Sequence, residues 1–176
     1  MRRGGVVVRC ISARVPDFSR TEAAVSEGRQ TMKLRTGDPW MPAPQYSGAL
    51  RGLTLNLLVR DIARSLPFHR EVLGAQVVYS DVDFAVLRHG EVEWMLHADH
   101  TYLDHPLHAS LSEDLPRGVG AELRLHGRNP DEAEAAARQL GFTVLACAVD
   151  KPHGLREAYL IDPDGYLWVP DIPAQR

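Results

Sequence analysis

The chain is short of cysteine, of long apolar runs and of excess charge of either sign. Cys10 and Cys147 are its two cysteines. One lies in a terminal stretch without periodicity and the other in an apolar run. A disulfide framework is excluded on that count, the chain reads as cytoplasmic, and Cys147 reads as a small buried hydrophobe. No apolar run approaches the roughly 20 residues that a membrane helix needs. The formal net charge is −3. That is the wrong balance for nucleic acid or an anionic membrane, both of which call for a dense basic face. No Gly-rich phosphate loop, Cys-x-x-Cys pair or Ser/His/Asp order stands out. What remains is 44% hydrophobic and 24% charged over 176 residues, enough for one packed domain or two small fused modules.

Residues 1–48 read as an N-terminal extension. "MRRGGVVVRCISARVPDFSRTEAAVSEGRQ" starts basic, and its one apolar run is shorter than a signal-peptide core of about 7–15 residues. Two readings stand for residues 1–31: an arginine-rich presequence, weakened by Glu22 and Glu27, or an extension ahead of a start at Met32. "GDPWMPAPQYSG" (37–48) is rich in Pro and Gly and reads as an extended arm. Its Trp40 and Met41 are expected to dock on the domain or on a second subunit.

From residue 49 to 173 the pattern sharpens into a domain of two modules, about 52–98 and 119–172. "LTLNLLV" (53–59) predicts a strand. Asp61 caps a helix through "IARSLPFHREVLG", with Pro67 set to kink it and Gly74 to stop it. "AQVVYS", "FAVLRH" and "VEWMLHA" predict three strands, with "HG" turning between the last two. After a polar loop, the order recurs. "GAELRLHG" is a strand, and "NPDEAEAAARQLG" a helix capped by Asn129 with Pro130 in its first turn. "FTVLACAV", "LREAYLI" and "YLWVP" are strands. The fold class is therefore α+β: two βαβββ modules forming a curved mixed-sheet cup, with helices on the outer face.

The combination of "LLVRDIARSLPFHREVLG" early and "DPDGYLWVP" late resembles the vicinal oxygen chelate superfamily. That group includes glyoxalases, extradiol dioxygenases and bleomycin-resistance proteins. The resemblance covers about residues 52–172 and departs at His69, where the family has Tyr. It implies a small organic ligand and a homodimer. Its enzymes hold a divalent metal on four strands, at positions that fall here on Thr54, Glu93, Glu122 and Val169.

Two carboxylates remain of those four positions. Thr54 is a poor ligand and Val169 is none, whereas protein-held transition metals take three or four N, O or S donors. His97 shares a face with Glu93 but lies roughly 13 Å from it along the strand. The expectation is therefore no metal and no other cofactor. The alternative is Zn, Ni, Mn or Fe held by Glu93 and Glu122 with an unconventional histidine. Extending each cup-facing position by two predicts a ligand site of Asn56, Glu93, Met95, His97, Glu122, Arg124, Leu167 and Val169. Arg124 is open to two roles, pairing with Glu93 or Glu122, or meeting an anionic ligand. Glu93 and Glu122 are weak candidates for a general base. Trp94 and Trp168 alternate away, toward the core. The loop that carries His100, His105 and His108 reads either as a solvated or subunit-contacting segment, or as one from which His97 or His100 closes over the cup mouth and contacts a ligand. The predicted function is small-molecule binding of the bleomycin-resistance type. The alternative is a metal-dependent lyase, isomerase or dioxygenase.

Overall fold

The computed structural model describes residues 32–108, 111 and 116–175. Readings placed on residues 1–31, Cys10 included, lie outside these. Two four-stranded sheets carry the repeat. In the first module, β1 (Leu55–Val59) is followed by α2 (Ile62–Pro67), β2 (Gln76–Ser80), β3 (Phe84–His89) and β4 (Val92–Ala98). The second has β5 (Glu122–His126), α3 (Pro130–Gln139), β6 (Thr143–Asp150), β7 (Leu155–Ile161) and β8 (Leu167–Pro173). The sheet orders are β1-β4-β3-β2 and β5-β8-β7-β6, with the first and last strand of each module parallel.

Local chemistry sets the boundaries. Asp61 accepts a bond from the Arg64 N–H at 2.7 Å and opens α2. Pro67 then ends the α-helical segment, because its ring removes a donor and crowds the preceding turn. The chain runs on as a wider π turn, Phe68–Val72, and Gly74 leaves it at φ 68°. Asn129 caps α3 by accepting from the N–H groups of Asp131 and Glu132.

A single buried cluster joins the modules. It takes Leu57, Val59, Trp94 and Leu96 from the first sheet, Leu125, Leu160 and Trp168 from the second, and Phe68, Val72, Ala133 and Ala137 from the helical segments. Trp94 and Trp168 pack ring to ring at 5.4 Å, as their alternation predicts. The "DPDG" turn pins the modules together. Asp164 is 1% exposed. Its carboxylate accepts from the Arg60 N–H at 2.8 Å, just before α2, and from the Ser65 hydroxyl at 2.6 Å, within it.

Two expectations need correction. The segment read as an extended arm turns a short helix, α1 (Ala43–Ala49), with Pro44 in its first turn where no N–H is needed. Cys147 is exposed, not buried. It lies on β6, an edge strand, and an unbroken apolar run gave no phase by which to tell its two faces apart.

Candidate functional site

The strand registers bring the predicted residues into two groups. On the first sheet Asn56 lies beside Met95 and Leu58 beside His97. β3 adds Val86 opposite Met95 and Phe84 opposite His97. On the second sheet Glu122 lies beside Leu167 and Arg124 beside Val169.

The first group opens onto a cavity of about 410 Å³. Asn56, Met95 and His97 form its floor, with Phe84 and Tyr79 alongside. Thr101 and Tyr102 come from a 3₁₀ turn, Asp99–Tyr102. The roof is the N-terminal arm, which contributes Lys33, Arg35, Trp40, Met41, Tyr46 and Leu50 among others. Trp40 docks on its own domain, 5.0 Å from the Tyr79 ring and 5.4 Å from that of Tyr46. The arm is tied at both ends. The Asp83 carboxylate accepts the Leu34 N–H at 2.8 Å and the Arg35 N–H at 3.4 Å. The Tyr46 hydroxyl donates to Glu93 at 2.9 Å. Burial and that bond push the Tyr46 hydroxyl pKa up.

Polar groups inside the cavity form a chain. The Asn56 amide donates to the Tyr102 hydroxyl at 2.8 Å, which leaves its oxygen to His97 Nδ1 at 2.7 Å. Nδ1 therefore carries the proton, and Nε2 keeps its lone pair. The imidazole lies 4.5 Å from the Phe84 ring and 5.2 Å from the Tyr102 ring. Burial pushes its pKa down to about 4, against an opposing pull from Asp81. His100 supports the wall from behind, 2.8 Å from Asp83. Burial raises the Asp83 pKa, but the bonds from His100, Leu34 and Arg35 outweigh it and hold the carboxyl below its ordinary range.

Glu93 does not line this cavity. Besides Tyr46 it binds Arg88 at 2.8 Å. The second-sheet group makes a separate, internally satisfied network. Arg124 pairs with Glu157, with Asp171 at 3.3 Å and with Glu122 at 3.3 Å. Of the partners the sequence left open for it, Glu122 is one and Glu93 is not. His126 lies 2.7 Å from Asp171. Burial would raise the pKa of Glu157, but bonds from His153, Tyr159 and Arg124 pull it down to about 2. Val169 is fully buried, and Leu167 half-buried.

The four positions that a chelated metal would use do not supply its donors. Thr54 and Val169 offer no strong donor, Glu93 is held by Tyr46 and Arg88, and Glu122 is held by Arg124. Among the described residues, no group of three His, Cys, Asp or Glu side chains is arranged to hold a metal ion. The residues present do not fit the group.

Phe84 and Glu157 were not singled out from the sequence, although a signal for them existed; Tyr79 follows a register shift in β2, which breaks the alternation that would have marked it. Extending the alternation to β3 and β7 marks Phe84 beside His97 and Glu157 beside Asp171. Lys33, Arg35 and Tyr46 had no such signal, since they belong to no strand.

Comparison with known proteins bears on the fold that carries this site. The family whose model matches is the glyoxalase/bleomycin resistance protein/dioxygenase superfamily, over residues 53–169. Among solved structures, a glyoxalase-related enzyme from Fulvimarina pelagi is 18% identical, with a TM-score of 0.55, over 69% of this chain and 87% of its own. A glyoxalase/bleomycin resistance protein/dioxygenase from Nocardioides is 20% identical, with a TM-score of 0.53, over 74% of this chain and 91% of its own. A family enzyme from Burkholderia phytofirmans is 21% identical, with a TM-score of 0.57, over 69% of this chain and 97% of its own. At these identities the likeness is one of fold. Among curated proteins none matches the chain significantly. The matched span runs from β1 to Val169 and takes in both modules and the turn that pins them, so the chain belongs to the glyoxalase/bleomycin resistance protein/dioxygenase superfamily.

Proposed function

We propose that the protein binds a small organic molecule in the arm-covered cavity of its first sheet, and that it does so without a metal. The observation that carries this reading is the cavity itself. It holds about 410 Å³ beneath the arm, walled by aromatic rings, with Asn56, His97 and Tyr102 as directional polar points. A mostly apolar concavity with a few fixed polar groups is the usual form of a small-molecule site. Of the residues predicted to touch a ligand, Asn56, Met95 and His97 are best placed for it. Glu93 acts by holding the arm. Glu122, Arg124, Leu167 and Val169 belong to the structure of the second sheet. The activity is sequestration rather than turnover, in a cytoplasmic setting suited to the free thiol of Cys147.

Association into a homodimer is part of the same proposal. Its support is the edge strand β6, which presents Leu145 and Val149 to solvent, an arrangement that invites pairing. Native mass spectrometry of the purified protein, with elemental analysis alongside, tests all three points. The expected result is a dimer with no stoichiometric metal that retains added small aromatic compounds. One equivalent of Zn, Ni, Mn or Fe, lost in Glu93→Ala and Glu122→Ala, would overturn metal-free binding. A monomer at every concentration would refute the dimer.

A further inference from the structure

We propose that the cavity takes a planar aromatic acid bearing a hydroxyl or N–H donor. Its ring lies among Trp40, Tyr79 and Phe84, its acid group faces Lys33 and Arg35, and its donor bonds to His97 Nε2. The proposal rests on the reading of this cavity as a binding site and goes further by naming the ligand's class.

Three features of the lining select that class. The first is shape. Trp40, Tyr79 and Phe84 are neighbours at centroid separations of 5.0 and 6.4 Å, tilted against one another. Such walls favour a flat, polarisable body over a branched aliphatic one.

The second is charge. The cavity is lined by two cations, Lys33 and Arg35, and by one carboxylate, Asp83. Asp83 is already engaged by two backbone N–H groups and His100. Neighbouring Asp81 accepts from the Tyr79 hydroxyl and from the N–H groups of Asp83 and Phe84. The cations are not so well matched. Lys33 has no ion pair among the described residues. Arg35 stands 3.7 Å from Asp81, farther than a hydrogen bond. An anionic ligand offers its guanidinium a closer partner. The same two cations argue against a cationic guest, which the ring of aromatic side chains would otherwise suit.

The third is polarity. His97 Nδ1 gives its proton to Asn56, because the Asn56 amide is committed to Tyr102. Nε2 is then an acceptor with no partner among the described residues. It matches an O–H or N–H and mismatches an ether or a carbonyl. The depressed pKa of His97, about 4, keeps it in this neutral form near pH 7.

Met41 and Met95 both line the cavity, and the chain holds 4 methionines. Their methyl signals, in a sample labelled with ¹³C at the methionine methyl group, report occupancy directly. The probes are 4-hydroxycinnamate, its methyl ester, 4-methoxycinnamate and tyramine. The expected result is that 4-hydroxycinnamate shifts the Met95 signal and binds about tenfold tighter than the ester or the methoxy acid. Lys33→Gln, at an exposed position that leaves the fold intact, should erase the acid-over-ester preference. His97→Leu should erase the hydroxyl preference and keep the other. If the ester or tyramine binds as tightly as the acid at Met95, the ligand class is wrong and the cavity reading stands. If none of the four probes moves the Met41 or Met95 signal at millimolar concentration, both fall.

Discussion

His69 is fully buried between Trp94 and Trp168. The Trp94 indole N–H donates to its Nδ1 at 3.3 Å, so the ring's own proton sits on Nε2, which is buried with no partner. A second proton would place a charge in an aromatic core with nothing to answer it. Burial accordingly pushes the pKa from 6.5 down to about 3. The consequence for stability has a definite sign. Above pH 6.5 the ring is neutral whether the chain is folded or not, and folding is unaffected. As pH falls below 6.5 the unfolded chain takes up a proton that the folded chain refuses, and stability declines until the folded pKa is reached. Between pH 7.5 and pH 5 this one ring should cost about 2 kcal/mol. Urea midpoints at those two pH values measure it. The His69→Phe variant should lose about 2 kcal/mol less than the parent over the same interval. Equal losses in the two proteins would mean that His69 is not the titrating group. The sequence showed that His69 was unusual. It could not show the ring's neighbours, because Trp94 and Trp168 arrive from different modules.

At the scale of single elements, the turn Asp162–Gly165 does more than reverse the chain. Asp162 accepts from the N–H groups of Asp164 and Tyr166 and from the Trp168 indole, and burial raises its pKa to about 6. Gly165 has φ 96°, and a Cβ there would stand 2.6 Å from the Pro116 Cα. Gly120 has nearly the same φ, 90°, and open space around it. The pair separates strain from collision. Gly120→Ala should cost about 1 kcal/mol, the ordinary penalty for a left-handed alanine. Gly165→Ala should cost at least about 3 kcal/mol, because the linker backbone must also move. Denaturant melts of the two variants decide it, and equal costs would show that the linker yields freely. A turn at "DPDG" was legible from residue types alone. Its need for glycine was not, since Pro116 is remote in sequence. Two other misreadings have the same origin. The α1 segment looked extended because Pro and Gly were weighed by number, whereas Pro44 occupies the one helical turn that tolerates it. Cys147 looked buried because burial depends on which strand ends up at the sheet edge.

For the whole molecule, the order of elements was readable and the place of the site was not. Alternation and capping gave two βαβββ units and the faces of β1 and β4, because both are local properties. The cavity depends on a segment outside both units, folded back over the first sheet by contacts remote in sequence. Those contacts are few and non-covalent: the Asp83 carboxylate to Leu34 and Arg35, Trp40 on Tyr79, and Tyr46 to Glu93. Each is worth about 1 kcal/mol net, so the arm should open far more readily than the core and let a ligand in. Asp83→Asn keeps the shape of the side chain but removes its charge and one of its acceptor oxygens. A loss of about 1.4 kcal/mol multiplies the open population about tenfold. Hydrogen exchange followed by mass spectrometry should then show the amides of residues 34–50 exchanging about tenfold faster in the variant. The amides of β4, which the closed arm does not protect, should exchange at the parent rate. Acceleration spread equally over β4 would mean that Asp83 supports the domain as a whole. No acceleration in the arm would mean that the aromatic contacts alone hold it closed.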